Sequence, residues 1–199
     1  MDDRGPLIGE PLALDLINTR PAEPGGRRDL IDTPRQLAAW LAAEADRLPA
    51  HARGLEPGPA DLAALHAVRE HAEAAVRALL RGTEPPRSAL RGLTEAQRAA
   101  SPIRELTWDG SAVTADLRRA GPAGTVLAAV FAEETADLLT GPGAAKVREC
   151  EADDCLMLFL PAHPRRRWCS PTRCGNRARV ARYYQRHKPA ADVGGHDAL

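Results

Sequence analysis

The sequence predicts an α+β fold that is mainly helical: an N-terminal helical domain carrying one β-hairpin, then a small four-cysteine module that ends in a helix. Three observations carry that prediction. Apolar residues recur at i, i+3 and i+4 through most of the N-terminal part, the period of an amphipathic helix. An Asp-Gly dipeptide, Asp109-Gly110, separates two β-prone runs. All the cysteines fall together near the C-terminus, as Cys150, Cys155, Cys169 and Cys174. The expected division is residues 1–143 for the N-terminal domain, 144–190 for the cysteine module and 191–199 for a disordered tail, with a hinge at Gly141-Pro142-Gly143.

Each element follows from local chemistry. Leu12 to Thr19 is apolar apart from Asp15, Asn18 and Thr19, and a run this short reads equally as a helix or a buried strand. Asp32 or Thr33 can cap a helix with Pro34 in its first turn, and Leu37, Trp40 and Leu41 then share a face up to about Leu48-Pro49. A longer helix is expected from Pro59 to about Arg81, with Leu62, Leu65, Val68, Ala72, Val76 and Leu79 inward and Arg69, Glu70, Glu73 and Arg77 outward. His66 and His71 lie on it five apart, which is not a helical metal-ligating spacing. Residues 87–100 read as a helix interrupted at Gly92. Ile103–Trp108 and Ala112–Leu117 form the hairpin, with Asp-Gly supplying the positive φ angles of a type I′ turn. A helix from about Pro122 to Leu139 follows, exposing Glu133, Glu134 and Asp137.

Composition narrows the functional class. A chain of 199 residues is long enough for one domain, or one domain and a small module. No apolar run approaches the roughly 18 residues that span a membrane, and the N-terminus lacks a basic region followed by an apolar stretch. The expectation is a cytoplasmic protein without a membrane partner. The formal net charge is zero, yet the charges are segregated. From Leu156 to Ala191 there are nine basic residues and no acid, whereas residues 1–155 hold 18 bases against 25 acids. An acidic body joined to a basic module that seeks polyanions accounts for this pattern. The sequence contains no phosphate-cradling glycine loop, nucleophile elbow or HExxH motif, so no enzyme is expected and no catalytic residue is assigned.

The cysteine spacing, two CxxxxC pairs separated by a loop, lets four thiolates converge on one tetrahedral ion. In a reducing compartment clustered cysteines bind metal more often than they pair as disulfides, and four thiolates leave no open position for water or substrate. The expected cofactor is one structural Zn2+, with iron a chemically compatible alternative. After Cys174 a helix is expected to run to His187, placing Arg179, Arg182 and Arg186 on one narrow face. One side of it can pack on the module while the other meets phosphate. Arg165, Arg166 and Arg167 precede Cys169 and offer a second line of contact, beside Asn176 and Arg177 at the helix start.

These residues resemble a known family. Arg166-Arg167-Trp168-Cys169-Ser170, Cys174-Gly175-Asn176-Arg177-Ala178-Arg179, Tyr183-Tyr184 and Arg186 are similar to the CGNR zinc finger. Leu12 to Thr19 is similar to the opening motif of the ABATE domain, a stress-induced transcription regulator family in which that domain precedes the finger. Leu37, Trp40 and Leu41, and Ala136-Asp137-Leu138-Leu139, fit the same pattern. The resemblance implies that the four cysteines are the zinc ligands and that the finger binds double-stranded DNA. This chain departs from the family where Phe159 leads into Leu160-Pro161-Ala162-His163-Pro164, with a shorter loop before the second cysteine pair. His163 is a less suitable ligand than the four thiols.

The body is less legible. Asp15, Asn18 and Thr19 can line a pocket for a small-molecule effector; alternatively Asp15 and Asn18 cap a helix or satisfy buried backbone groups. The expected function is DNA-binding transcriptional regulation through the basic helix, with the N-terminal domain sensing a ligand or mediating assembly. A protein-docking finger on a ligand-binding domain is the alternative. A homodimer would double the few base contacts that one short helix offers, although no stretch marks a dimer face.

Overall fold

The computed structural model describes residues 8–23 and 25–187; the tail expected from 191 lies outside them. The elements are α1 (Leu12–Ile17), β1 (Ala22–Glu23), β2 (Gly26–Arg27), α2 (Pro34–Ala43), α3 (Pro59–Leu80), α4 (Arg87–Ala99), β3 (Ile103–Trp108), β4 (Val113–Arg118), α5 (Ala123–Thr140), β5 (Arg148–Glu149), β6 (Leu158–Phe159) and α6 (Asn176–His187). Each strand pair is an antiparallel two-stranded ribbon.

The short apolar run at the N-terminus is a helix, and all six residues of α1 are buried. It packs on α3 and α5, which with α4 complete the bundle. The core joins Leu14, Leu16, Leu37, Trp40, Leu65, Val76, Leu127 and Phe131, and Trp40 stacks on Phe131 with ring centroids 5.2 Å apart. Val147 and Leu158, from the segment beyond α5, belong to the same core.

Caps fix where the helices start. Thr33 and Gln36 form a reciprocal capping box with Pro34 in the first turn of α2. That helix ends at Ala43, earlier than expected, because Glu44 and Arg47 turn inward to meet α1. Asp61 accepts from Gly58 N–H at 2.7 Å at the start of α3 and from Gly124 N–H at 2.7 Å at the start of α5. One carboxylate thus supplies acceptors to two helix N-termini.

Several local expectations are corrected. The outer face of α3 is not all solvated: Arg69 is buried and donates to Thr19 and Asp29, and Glu73 is buried between Arg27 and Arg77. Leu79, expected inward, is exposed. Gly92 does not interrupt α4; it lets the helix approach α3 so closely that a Cβ there would lie 2.2 Å from His71 Nε2. In the hairpin only Gly110 has positive φ, and Asp109 is not a turn-centre residue of a type I′ turn. Its carboxylate instead accepts from Ser111 and Ala112 N–H, closing a longer loop. Of the acids expected outside on α5, Asp137 is exposed, whereas Glu133 and Glu134 are half-buried and Glu133 pairs with Arg119.

Candidate metal centre and nucleic-acid face

The cysteine segment is built from two turns. Cys150 follows β5, and its N–H donates to Met157 O at 3.0 Å, so the β5–β6 ribbon presents the first pair. Asp154 takes a positive φ of 61° and Cys155 N–H donates to Ala152 O, which curls Cys155 back toward Cys150. Between the cysteine pairs, β6 is limited to Leu158–Phe159, both buried. In the second turn Ser170 Oγ accepts from Arg173 N–H and Gly175 N–H donates to Ser170 O. Cys174 is thereby held at the end of one wide turn that runs directly into α6.

The four Sγ atoms lie within 4.8 Å of one another. Separations are 3.5 Å for Cys169–Cys174, 3.7 Å for Cys155–Cys174 and 3.8 Å for Cys155–Cys169. A tetrahedron with Zn–S bonds of about 2.3 Å has edges of about 3.8 Å. The donor set therefore fits the ion in both chemistry and size, and no disulfide competes, since all four cysteines are free. Hydrogen bonds from Cys155, Cys169 and Cys174 hold Cys150 well below the ordinary thiol range, while Cys155 and Cys169 are pushed above it, chiefly by Cys150. Four sulfurs so close ionise together only around a cation. Cys169 N–H donates to Cys150 Sγ at 3.3 Å and Arg177 Nη2 reaches Cys174 Sγ at 3.6 Å, so the shell has donors to offset thiolate charge.

Phe159, Met157 and Ala152 form a small apolar cluster with the cysteines, and Trp168 packs against it. The module is also fixed to the helical body at three points. Asn18 donates to Leu158 O at 2.8 Å and accepts from Leu158 N–H at 2.9 Å, as a neighbouring strand would. Glu10 accepts from Leu160 N–H at 2.8 Å and from Arg166 at 2.6 Å. Arg77 joins Glu73 to Glu149 and donates to Leu156 O.

The model of the ABATE family, described as "Putative stress-induced transcription regulator", matches residues 10–142, about two thirds of the chain. This chain belongs to the ABATE family. The CGNR zinc finger model matches residues 146–187, which contain all four cysteines and α6. The expected order of an ABATE domain followed by a CGNR finger is therefore present. No curated protein matches the sequence. The cofactor of this ABATE protein is one structural zinc ion, consistent with the finger family and the clustered cysteines. Among the described residues, no helix is long and apolar enough to cross a membrane.

The structure separates the basic residues into two groups. Arg166 is occupied: it donates to Glu10, Trp168 O and Cys169 O, and its guanidinium lies 4.5 Å from the Phe159 ring centroid. Arg167 pairs with Glu151 at 2.5 Å, and Arg177 donates to Asp153 O as well as reaching Cys174. Arg165, Arg179, Arg182 and Arg186 are exposed, and none of them pairs with an acid among the described residues. Arg179 and Arg182 bond only backbone carbonyls one turn back, and Arg182 also lies 5.8 Å from the Trp168 ring centroid. Asn176 is exposed at the start of α6. Contrary to the expectation that one side of this helix packs on the module, Ala178 is its only half-buried residue among those described. A cleft of about 410 Å3 is lined by α6, by Asp153 and Asp154 and by Trp168.

Asp15, Asn18 and Thr19 are buried and committed to internal partners. Asp15 accepts from Gly9 and Glu10 N–H and from Arg47; Thr19 donates to Leu16 O and accepts from Arg69. Sequence reasoning missed Glu10, which lies in a glycine-flanked N-terminal stretch; for Asn18 the reading that it satisfies buried backbone groups agrees with its bonds to Leu158, although the partner itself was not readable. A polar side chain at the edge of an apolar run was the only available signal for Asn18.

Proposed function

We propose that this ABATE protein is a DNA-binding transcription regulator whose zinc finger presents α6 to the phosphate backbone of a duplex. Arg179, Arg182 and Arg186 carry the contact and Arg165 adds a second line. The observation that supports this most directly is the exposed arginine face of α6, without an acidic partner among the described residues, in a segment that contains no acid. Solvated guanidinium groups aligned on one face of a helix suit a polyanion, and arginine's fork suits phosphate oxygens and guanine edges alike. Zinc holds the turn that aims this helix; it contributes position rather than chemistry. Arg166, Arg167 and Arg177 act as struts of the finger. For the body, mediating assembly is the better-supported role, because Asp15, Asn18 and Thr19 are already occupied.

Duplex binding followed by fluorescence anisotropy against salt tests the proposal. Four phosphate contacts give a slope of log K on log salt of about −3.6, and the Arg179→Ala, Arg182→Ala, Arg186→Ala triple variant leaves about −0.9. A duplex affinity that is flat with salt, or unchanged in the triple variant, refutes it. An acidic protein would satisfy the same arginines but leave the duplex unbound at every salt concentration.

A further inference from the structure

β3 and β4 stand out from the body with all their residues exposed. A free two-stranded ribbon is marginally stable in water, and this one is deliberately anchored. Just beyond β4, the buried Arg119 side chain donates to Ala100 O at 2.6 Å and to His51 at 3.1 Å, and pairs with Glu133. The base of the hairpin is pinned while its length is held away from the core.

The register sorts its side chains into two unlike faces. Directly paired residues share a face, and alternate pairs point oppositely. One face carries the pairs Thr107–Thr114, Glu105–Asp116 and Ile103–Arg118, and it is satisfied internally: the threonine hydroxyls bond at 2.8 Å and Arg118 reaches Glu105 and Asp116. The opposite face carries Trp108–Val113, Leu106–Ala115 and Arg104–Leu117. On it Leu106 is 68% exposed, Trp108 66%, Val113 66% and Leu117 46%. These four side chains expose on the order of 500 Å2 of apolar surface, at the upper end of what a monomer shows as its largest patch.

We propose that this apolar face packs on the same face of a second copy of the chain, forming a closed two-fold dimer. Two such patches together offer on the order of 1,000 Å2, about the least total area a specific interface requires. The face is also self-complementary. Apolar side chains meet apolar side chains across it, and its one charge, Arg104, lies at the base. A two-fold axis across the strands lays each base over the partner's tip, which keeps both Arg104 side chains at the solvated rim. The charged outer face then points to solvent and stops further sheets from stacking. The interface involves no residue of α6 and stands whether or not the protein binds DNA.

Sedimentation equilibrium of the full zinc-loaded chain tests this directly. The expected mass is twice 21.3 kDa at concentrations up to about 100 μM. A Leu106→Asp, Trp108→Asp double variant, altered only at exposed positions, is expected to halve that mass while keeping its zinc and helical circular dichroism. Hydrogen exchange supplies an independent readout: amides of β3 and β4 should slow as protein concentration rises. A wild-type mass of 21.3 kDa throughout, a variant that remains dimeric, or hairpin exchange indifferent to concentration overturns the proposal.

Discussion

Replacing Asn18 by Ala isolates the contact that joins the finger to the body. Asn18 and Leu158 are both buried, so the substitution leaves Leu158 N–H and C=O without their partner and without water. Each buried backbone group so orphaned costs about 1–3 kcal/mol, giving about 2–6 kcal/mol for the pair. That is a large part of a typical stability of about 5–15 kcal/mol. Leu158 also lies in the main core while Phe159 lies in the cysteine cluster, so loosening this strand disturbs both sides of the junction. Urea unfolding of the zinc-saturated protein should show a lower midpoint, and zinc transfer to a chromophoric chelator should quicken although one ion per chain is still bound. A shift below about 0.5 kcal/mol together with unchanged zinc release would refute the reasoning.

Other perturbations have equally definite outcomes. Chelation should free one zinc per chain and expose amides of residues 150–187 to exchange before those of α3 and α5, because the small cysteine cluster cannot stand without its ion; simultaneous exchange everywhere would contradict this. Gly124→Ala places a Cβ 2.5 Å from that of Asp61 and 2.6 Å from its Cα, so α5 must separate from α3. The expected loss is about 1–3 kcal/mol, read as a lowered melting temperature, and an unchanged one would show the junction to be plastic. Burial raises the Asp15 carboxyl to about 7, with Arg47 opposing and Glu44 adding to the rise, and burial raises Glu44 as well. Both acids bind protons more readily folded than unfolded, so the stability each contributes is complete below the ordinary carboxylate range and is lost as pH rises, for Asp15 through about 7. Glu44→Gln removes one charge from this pair; urea midpoints should then fall less between about pH 6 and 8, and an unaltered pH slope would disprove the coupling.

The readable parts of the sequence were those governed by local chemistry. Thr33 and Gln36 three apart, with Pro34 between them, specify a helix start wherever they occur, and the four-cysteine spacing specifies a tetrahedral cage. The β-prone runs on either side of Asp109-Gly110 likewise identify β3 and β4. What could not be read depends on partners far away along the chain. Arg69 and Glu73 occupy positions that a helical wheel assigns to solvent, and only the return of Asp29 and Arg27 buries them. Arg166 is one of three consecutive arginines with identical local chemistry. Its separation from Arg165 and Arg167 rests on Glu10, at a sequence distance of 156 residues. That the hairpin is exposed along its whole length was not readable, because β-prone runs around a turn report a strand pair and not what covers it.

Glu10 is where two networks meet. Its backbone carbonyl accepts from Arg47, which also donates to Asp15 at 2.5 Å and Glu44 at 2.6 Å inside the body. Its carboxylate holds Leu160 N–H and Arg166 in the finger. Arg166 in turn donates to the carbonyl of Cys169, a residue of the metal cluster, so a continuous path of hydrogen bonds runs from the buried acid pair to the zinc cage. The finger is therefore positioned by the body, through Glu10, Asn18 and Arg77, and not simply tethered to it by the Gly141–Gly143 segment. With the hairpin base pinned by Arg119, α6 and β3–β4 are both referenced to the same helical core. If two copies meet at their hairpins, the separation of their two α6 helices is then set by the fold of each chain. If α6 also binds DNA as proposed, paired half-sites at one fixed spacing are the geometric consequence.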